Sequence, residues 1–339
     1  MLIALVYALP LLIENKRHAF EETIVLLCYT FALQGFIHLC GYIFEPVGEL
    51  IMTIHGPEFQ AFINDPERNI DIFRGYALCG SIFFELPATY GLVCILFFRL
   101  QLEENQTYLT GYKSFVVILL IMTGIMLSGR TGFIGFFCGL AYYLFYLFEK
   151  KKALMNTIWK LGVVFTLLLL LFYLIFPAKI QQSLIEDVFP FAFEFYYNYE
   201  ETGSLSTSST DDLQKNHWFY IEDDILLKGE GLPSAYDSSR HGGSDAGYVN
   251  SIVFGGILWL ICLIIYQALY FISPLTVAGG VRSKSTKQDA FCFLVLFLYL
   301  FILHYKAPTI GTIHSVETVL FFMGASYLIK YYTTENLES

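Results

Sequence analysis

Apolar residues run along this chain in long uninterrupted blocks, separated by short polar connections and one long one. Nine blocks stand out, at about 1–13, 23–44, 75–98, 114–128, 132–148, 157–176, 247–272, 290–305 and 316–330. A helix needs about 20 predominantly apolar residues to cross the hydrocarbon core of a bilayer. Backbone groups cannot stay unpaired there, so each long block is predicted to be helical. The expected fold class is all-α, a polytopic membrane protein with about nine or more transmembrane helices. No internal repeat is evident, and the pattern predicts a single membrane domain over 1–339. Blocks 114–128 and 132–148 lie so close together that they read as a tight helical hairpin, or as helices broken at that point.

The first block is short for a span. No basic residue precedes it and no small-residue cleavage site follows, so it does not read as a cleavable signal. Either the polar residues after it dip into the interface, or the start lies inside a longer gene.

Polar connections set the orientation, because cytoplasmic connections carry the excess of Lys and Arg. The short connections with Lys150, Lys151 and Lys152, and with Arg282, Lys284 and Lys287, are basic and read as cytoplasmic. The connections 45–74 and 177–245 are acidic, and one consistent threading puts both outside. The second is the one long polar stretch, predicted to be a large extracytoplasmic loop. It contains an aromatic run from Phe189 to Tyr199 that suits the headgroup layer. A Ser/Thr-rich patch from Ser204 to Thr210, His217-Trp218-Phe219-Tyr220 and the Gly229–Gly231 stretch follow. Loops this long are functional or disordered.

Composition strengthens the membrane reading. The chain has 339 residues, 56% of them hydrophobic and 15% charged, whereas ordinary soluble domains carry about 25% charged residues. Its mean hydropathy is +0.57. Such a chain cannot cover itself with polar surface, so lipid is a large part of its solvent. A net charge of -10 argues against nucleic acid. All seven cysteines fall in apolar blocks with no C-x-x-C pair, and read as small buried hydrophobes rather than disulfide partners or metal ligands. No phosphate loop, dinucleotide fingerprint or H-E-x-x-H occurs. Glu222-Asp223-Asp224 lacks the alternating acids of a metal–nucleotide-sugar site. No metal or cofactor is expected.

Candidate chemistry gathers at block edges. Arg130 sits in Ser128-Gly129-Arg130-Thr131-Gly132 between two apolar blocks. An arginine there must be paired, hydrated or snorkelling. Glycines on both sides allow close backbone approach, and a guanidinium near a helix start suits an anion such as diphosphate. The plainer alternative is an interface anchor. Arg74 opens the third block, and Glu85 follows about three helical turns inside it, where a carboxylate needs an arginine, a polar cavity or a proton. A structural ion pair is the competing reading. Arg240-His241-Gly242-Gly243-Ser244-Asp245-Ala246-Gly247-Tyr248 re-enters the membrane and combines a cation with two possible bases, His241 and Asp245. A helix cap is the plain alternative for Asp245. Lys306 and His314, between the last two blocks, add positive charge or merely form a turn.

In order along the chain, these pieces resemble the bacterial O-antigen polymerase family, within the larger O-antigen ligase/polymerase group. Arg74, Gly80 and Phe84-Glu85-Leu86-Pro87 look like its R…G-x-F-x-E-P element. Ser128-Gly129-Arg130-Thr131-Gly132 looks like its S-x-R-T-G element. Lys228-Gly229-Glu230-Gly231, followed by Ser244-Asp245-Ala246-Gly247-Tyr248 and Gly255-Gly256, looks like its G-x-G…S-D-x-G-Y element. Lys306 resembles a lysine before the last helix. The likeness covers about residues 70–330. The ligase branch has His, Leu and Gly where Asp245, Val249 and Gly256 stand here, and Asp in the His position favours polymerase over ligase.

The resemblance implies a metal-independent glycosyltransferase of the bacterial inner membrane whose active site faces the periplasm. It would join undecaprenyl-diphosphate-linked oligosaccharide repeats into O-antigen, capsule or a related polysaccharide. Arg130, Arg74, Arg240 and Lys306 would bind the diphosphate, and Asp245 or His241 would accept the proton. Glu85, Ser128, Gly132 and Tyr248 would support the site. Membrane lipids, a chain-length regulator and a flippase are the implied partners. A ligase, a flippase for the same substrate and a non-catalytic scaffold are the competing functions. A flippase should show charges deep in several helices and pseudo-repeated halves, and neither is seen. The orientation predicts that an impermeant thiol reagent labels Ser208→Cys in intact cells. Labelling only after the membrane is broken would reverse the topology.

Overall fold

A computed structural model describes residues 18–55, 84–103, 109–148, 189–204, 207–232, 243–277, 284–310 and 313–338, with a few isolated residues between them. Among these residues every regular element is helical and none is a strand. Five helices are long and apolar enough to cross a membrane. They are α1 (Ala19–Ile43), α4 (Gly111–Ser128), α5 (Thr131–Phe148), α9 (Gly247–Val277, of which Gly247–Ser273 qualifies) and α10 (Lys284–Lys306, of which Lys287–Lys306 qualifies). Each corresponds to one sequence block. Blocks 75–98 and 316–330 also contribute helices, α3 (Glu85–Gln101) and α11 (His314–Glu338). Blocks 1–13 and 157–176 lie outside the described residues, apart from Thr166. The acidic connection after α1 opens with a further short helix, α2 (Glu45–His55).

The chain divides into two compact units, residues 28–205 and residues 1–27 with 206–339. In the first, α3 is the central element. Nearly all its side chains from Leu86 to Leu100 are buried, because α4 and α5 both pack against it. Gly132, Gly135 and Gly139 lie on one face of α5. A Cβ at Gly135 would come within 2.4 Å of the Gly91 backbone, and one at Gly139 within 2.7 Å of Phe98. Helices surrounded by lipid gain no hydrophobic driving force by touching, so small residues that let backbones approach are the effective adhesive. On α3, Tyr90 is buried edge-on to Phe31 of α1, with ring centroids 5.1 Å apart, and fills the space left by Gly124. Arg99, buried near the other end of α3, pairs with Glu103 at 3.3 Å. Helix α6 (Glu194–Thr202) carries the later part of the aromatic run and leaves Phe195, Tyr196, Tyr197 and Tyr199 exposed.

In the second unit, α9 packs against α10 and α11. Large apolar side chains such as Leu258, Ile265 and Leu269 remain exposed along α9. In water such a stripe would be costly, and in lipid it is neutral. Cys262 also lies on an exposed part of α9, so it is not the buried residue expected from the sequence, whereas Cys28, Cys94 and Cys292 are buried. At one end of the unit Phe20 packs on Phe293 and Tyr327, and Lys330 pairs with the buried Glu21. The opposite end holds the polar segment.

Residues 207–232 of that segment are folded. They contain α7 (Ser208–Asp212), a π turn over Leu213–His217 and α8 (Asp223–Lys228). Leu213 and Ile225 are buried against Ala246, Val249 and Val253 of the α9 region. Each large side chain so buried contributes about 1.5–3 kcal/mol. Helix α9 is broken at Gly255-Gly256 and continues beyond, with Gly255 at φ -138°, ψ 17° and Gly256 at φ 73°, ψ -175°. The break releases the carbonyls of Val253 and Phe254, which accept the N–H groups of Glu230 at 2.6 Å and Gly231 at 2.9 Å. Close approach requires Gly229 and Gly256. A Cβ at Gly229 would lie 2.5 Å from the Phe254 oxygen, and one at Gly256 2.4 Å from the Leu227 oxygen.

The same geometry separates two glycines of the G-x-G pattern. Gly229 and Gly231 both have positive φ, 70° and 72°, but the space around Gly231 is open. Gly231→Ala therefore costs only left-handed strain, about 1–2 kcal/mol. Gly229→Ala adds a backbone clash and should lower the thermal unfolding temperature in detergent clearly more. Equal losses would mean that the docking of α8 on the α9 break contributes nothing.

Candidate functional site

Residues singled out in the sequence fall into two groups, one in each unit. In the unit of residues 28–205, α4 ends at Ser128 and α5 begins at Thr131, leaving Gly129 and Arg130 as the connection. Ser128 is buried, and its hydroxyl lies 3.5 Å from the Ile125 carbonyl within its own helix. Gly132 is buried against the Pro87 carbonyl and Ile125, so it serves the packing of α5 on α3. Arg130 donates to the Glu194 carboxylate, forming an ion pair in which the two side chains are 16% and 21% exposed. Phe193, next to Glu194, stacks near Phe133 of α5 at 6.1 Å. The aromatic segment is thus held at the Arg130 corner by one charge pair and one ring contact.

Glu85 stands in the first turn of α3, so its carboxylate lies at the positive end of a helix rather than three turns inside one. The Glu85 carbonyl accepts the Thr89 hydroxyl at 2.9 Å. Arg74, Arg240 and His241 lie outside the described residues.

In the other unit the structure brings Asp245, Tyr248 and Lys306 to the end where the polar segment docks. Helix α9 starts at Gly247, and its entry is ordered by Ser244, whose hydroxyl accepts the Ala246 N–H at 3.0 Å and donates to the His217 carbonyl at 2.7 Å. Asn250 reaches back to the Ser244 carbonyl at 2.6 Å. The Asp245 N–H donates to Nδ1 of His217 at 3.0 Å. His217 Nε2 lies 3.2 Å from Asp212 Oδ2 and 3.8 Å from Asp245 Oδ2. The ring is 14% exposed, while Asp212 and Asp245 are 57% and 62% exposed. Hydrogen bonds from Asn216 and then His217 hold the Asp212 carboxyl below the usual carboxylate range.

Aromatic and basic groups lie beside this cluster. Trp218 stacks on Tyr305 at 4.8 Å with the planes 25° apart, and Lys306 donates to Ser209 at 3.3 Å. The Tyr248 hydroxyl donates to the Phe301 carbonyl at 2.7 Å, tying α9 to α10. Buried His304 accepts the Thr309 N–H on Nδ1 at 3.0 Å and meets Ser251 through Nε2 at 3.1 Å. His314 opens α11.

The sequence alone does not single out His217. Its one sequence signal was its place in His217-Trp218-Phe219-Tyr220, 28 residues before Asp245, and a separation of that size announces no contact. The arrangement presents exposed carboxylates, a lysine and stacked aromatics at the end of an apolar helix. Such groups can accept a proton, hold an anion and contact a polyhydroxyl substrate. No family model, no characterised relative and no solved structure matches this chain.

A double-mutant cycle on Arg130→Ala and Glu194→Ala should return a coupling of about 1–3 kcal/mol, as expected for a charged hydrogen bond in a partly buried setting. Thermal unfolding in detergent is the measurement. A coupling near zero would make Arg130 a solvated interface anchor.

Proposed function

We propose that the chain is a polysaccharide polymerase that joins oligosaccharide repeats carried on undecaprenyl diphosphate, working at the outer face of the bacterial inner membrane. The observation that carries this reading is the exposed carboxylate of Asp245, whose backbone N–H is held by His217 at the start of an apolar helix, on the same end of its unit as Lys306, Trp218 and Tyr305. The resemblance of Ser244-Asp245-Ala246-Gly247-Tyr248 and Ser128-Gly129-Arg130-Thr131-Gly132 to the O-antigen polymerase elements points the same way.

In this reading a sugar hydroxyl of one repeat attacks the anomeric carbon of another sugar chain. Its oxygen forms the new glycosidic bond, and its proton passes to the Asp245 carboxylate. The bond from the anomeric carbon to diphosphate breaks, and the electron pair leaves with undecaprenyl diphosphate. That group already carries the charge as a stable anion, so it needs cations more than an acid. Arginine suits the task because its fork matches phosphate oxygens, and Lys306 adds a point charge. For Arg130 to hold any anion of a substrate, that anion would have to displace Glu194. The apolar helices would hold the polyprenyl tails.

The test is polymerisation of the purified, lipid-linked repeat by the full-length protein. Asp245→Asn should fold normally and lose about 10²–10⁴-fold in rate, the usual weight of a positioned base. Arg130→Lys should also lose much activity at normal expression. In cells, deletion should leave surface carbohydrate with one repeat. Complete loss of attached chains would favour a ligase or flippase, and full activity in Asp245→Asn would remove Asp245 from the chemistry.

A further inference from the structure

Asp245 is held by a residue that no sequence element announced. His217 sits at the end of the π turn, which is closed by the Trp218 N–H to the Leu213 carbonyl at 3.1 Å and anchored by the buried Leu213. Its two ring nitrogens have distinct partners. Nδ1 accepts the Asp245 N–H, so Nδ1 carries no proton, and the neutral ring carries its proton on Nε2. Nε2 then donates toward Asp212 and lies within ion-pair distance of Asp245. Both nitrogens of the neutral ring are engaged. To take a proton from a substrate, Nδ1 would have to let go of the α9 entry. Asp212 is no better as a base, since Asn216 and His217 occupy its two oxygens at 2.6 and 3.2 Å and favour its charged form. The Asp245 carboxylate, 62% exposed, is the acceptor that the polymerase reading uses.

We infer that His217 is a positioning residue: it fixes the Asp245 backbone at the mouth of α9 through Nδ1 to the Asp245 N–H, while Nε2 is held by Asp212. The catalytic part of this inference rests on the polymerase reading, and the geometric part does not. The Ser244 hydroxyl to the His217 carbonyl makes the hold two-pronged, so the ring and its own backbone grip Asp245 and Ser244, two of the residues that lead into α9.

The experiment compares His217→Ala with His217→Asn in the full-length protein in detergent. An asparagine side-chain oxygen reaches the place of Nδ1 and can accept the same N–H. Hydrogen exchange at the Asp245 amide should speed up about tenfold or more in His217→Ala, as a local hydrogen bond is lost, and return toward wild type in His217→Asn. With undecaprenyl-diphosphate-linked repeat as substrate, kcat should fall about 10–100-fold in His217→Ala, the usual weight of a partner that orients a reactive group. KM should change little, and His217→Asn should recover most of the rate. The acid limb of the pH–rate profile should persist in His217→Asn, because the ring is not the group that takes the proton.

Unchanged exchange in His217→Ala overturns the inference whatever the activity. Loss of the acid limb in His217→Asn overturns it in favour of the ring as base. The expected exchange pattern without polymerisation by the wild-type protein would retain the geometric hold, remove its catalytic meaning and sink the polymerase reading.

Discussion

A helix in an apolar solvent has no water to receive a freed backbone carbonyl, so a break in one must be answered by another part of the protein. Helix α9 breaks at Gly255-Gly256, and the carbonyls of Val253 and Phe254 are answered by the N–H groups of Glu230 and Gly231. This requirement shapes much of the second unit. It brings the G-x-G stretch against the helix, demands glycine where Gly229 and Gly256 meet backbone, and seats α8 beside α9. With α8 in place, Leu213 and Ile225 close over Ala246, Val249 and Val253, and His217 arrives at the mouth of α9. The polar segment is therefore folded by the membrane helix it covers, and the geometry of Asp245 is a consequence of that docking.

Charge follows the same logic at the edges of the apolar helices. An unpaired ion there is expensive, and a paired one less so. Arg130 meets Glu194, Arg99 meets Glu103 and Lys330 meets Glu21. These pairs differ in what they hold. Arg99 and Glu103 are one helical turn apart and report only the end of α3. Lys330 and Glu21 join residues distant in sequence, beside the Phe20, Phe293 and Tyr327 rings. Arg130 and Glu194 fasten the aromatic segment to the α4–α5 corner. The cation most suggestive of anion binding in the sequence thus already has an anion, supplied by the chain itself.

The amino-acid sequence by itself determined the helical class and the positions of the five helices long enough to cross a membrane, because about twenty predominantly apolar residues leave the backbone no alternative to a helix in lipid. It also placed the start of α9 at Gly247 and the corner at Arg130, since polar residues and glycines interrupt the apolar blocks there. Partnership was decided only by the tertiary structure. Gly132 looked like room for a ligand and is room for Pro87 of α3. Glu85 looked buried within a helix and lies at the start of one. Glu194 and His217, which face Arg130 and Asp245, cannot be paired with them from the sequence, since each is separated from its partner by many residues. Periodicity and hydropathy are properties of neighbours along the chain. A contact between residues 64 positions apart depends on how helices pack, and that is fixed by where backbones can approach, at the glycines of α5 and at the break in α9.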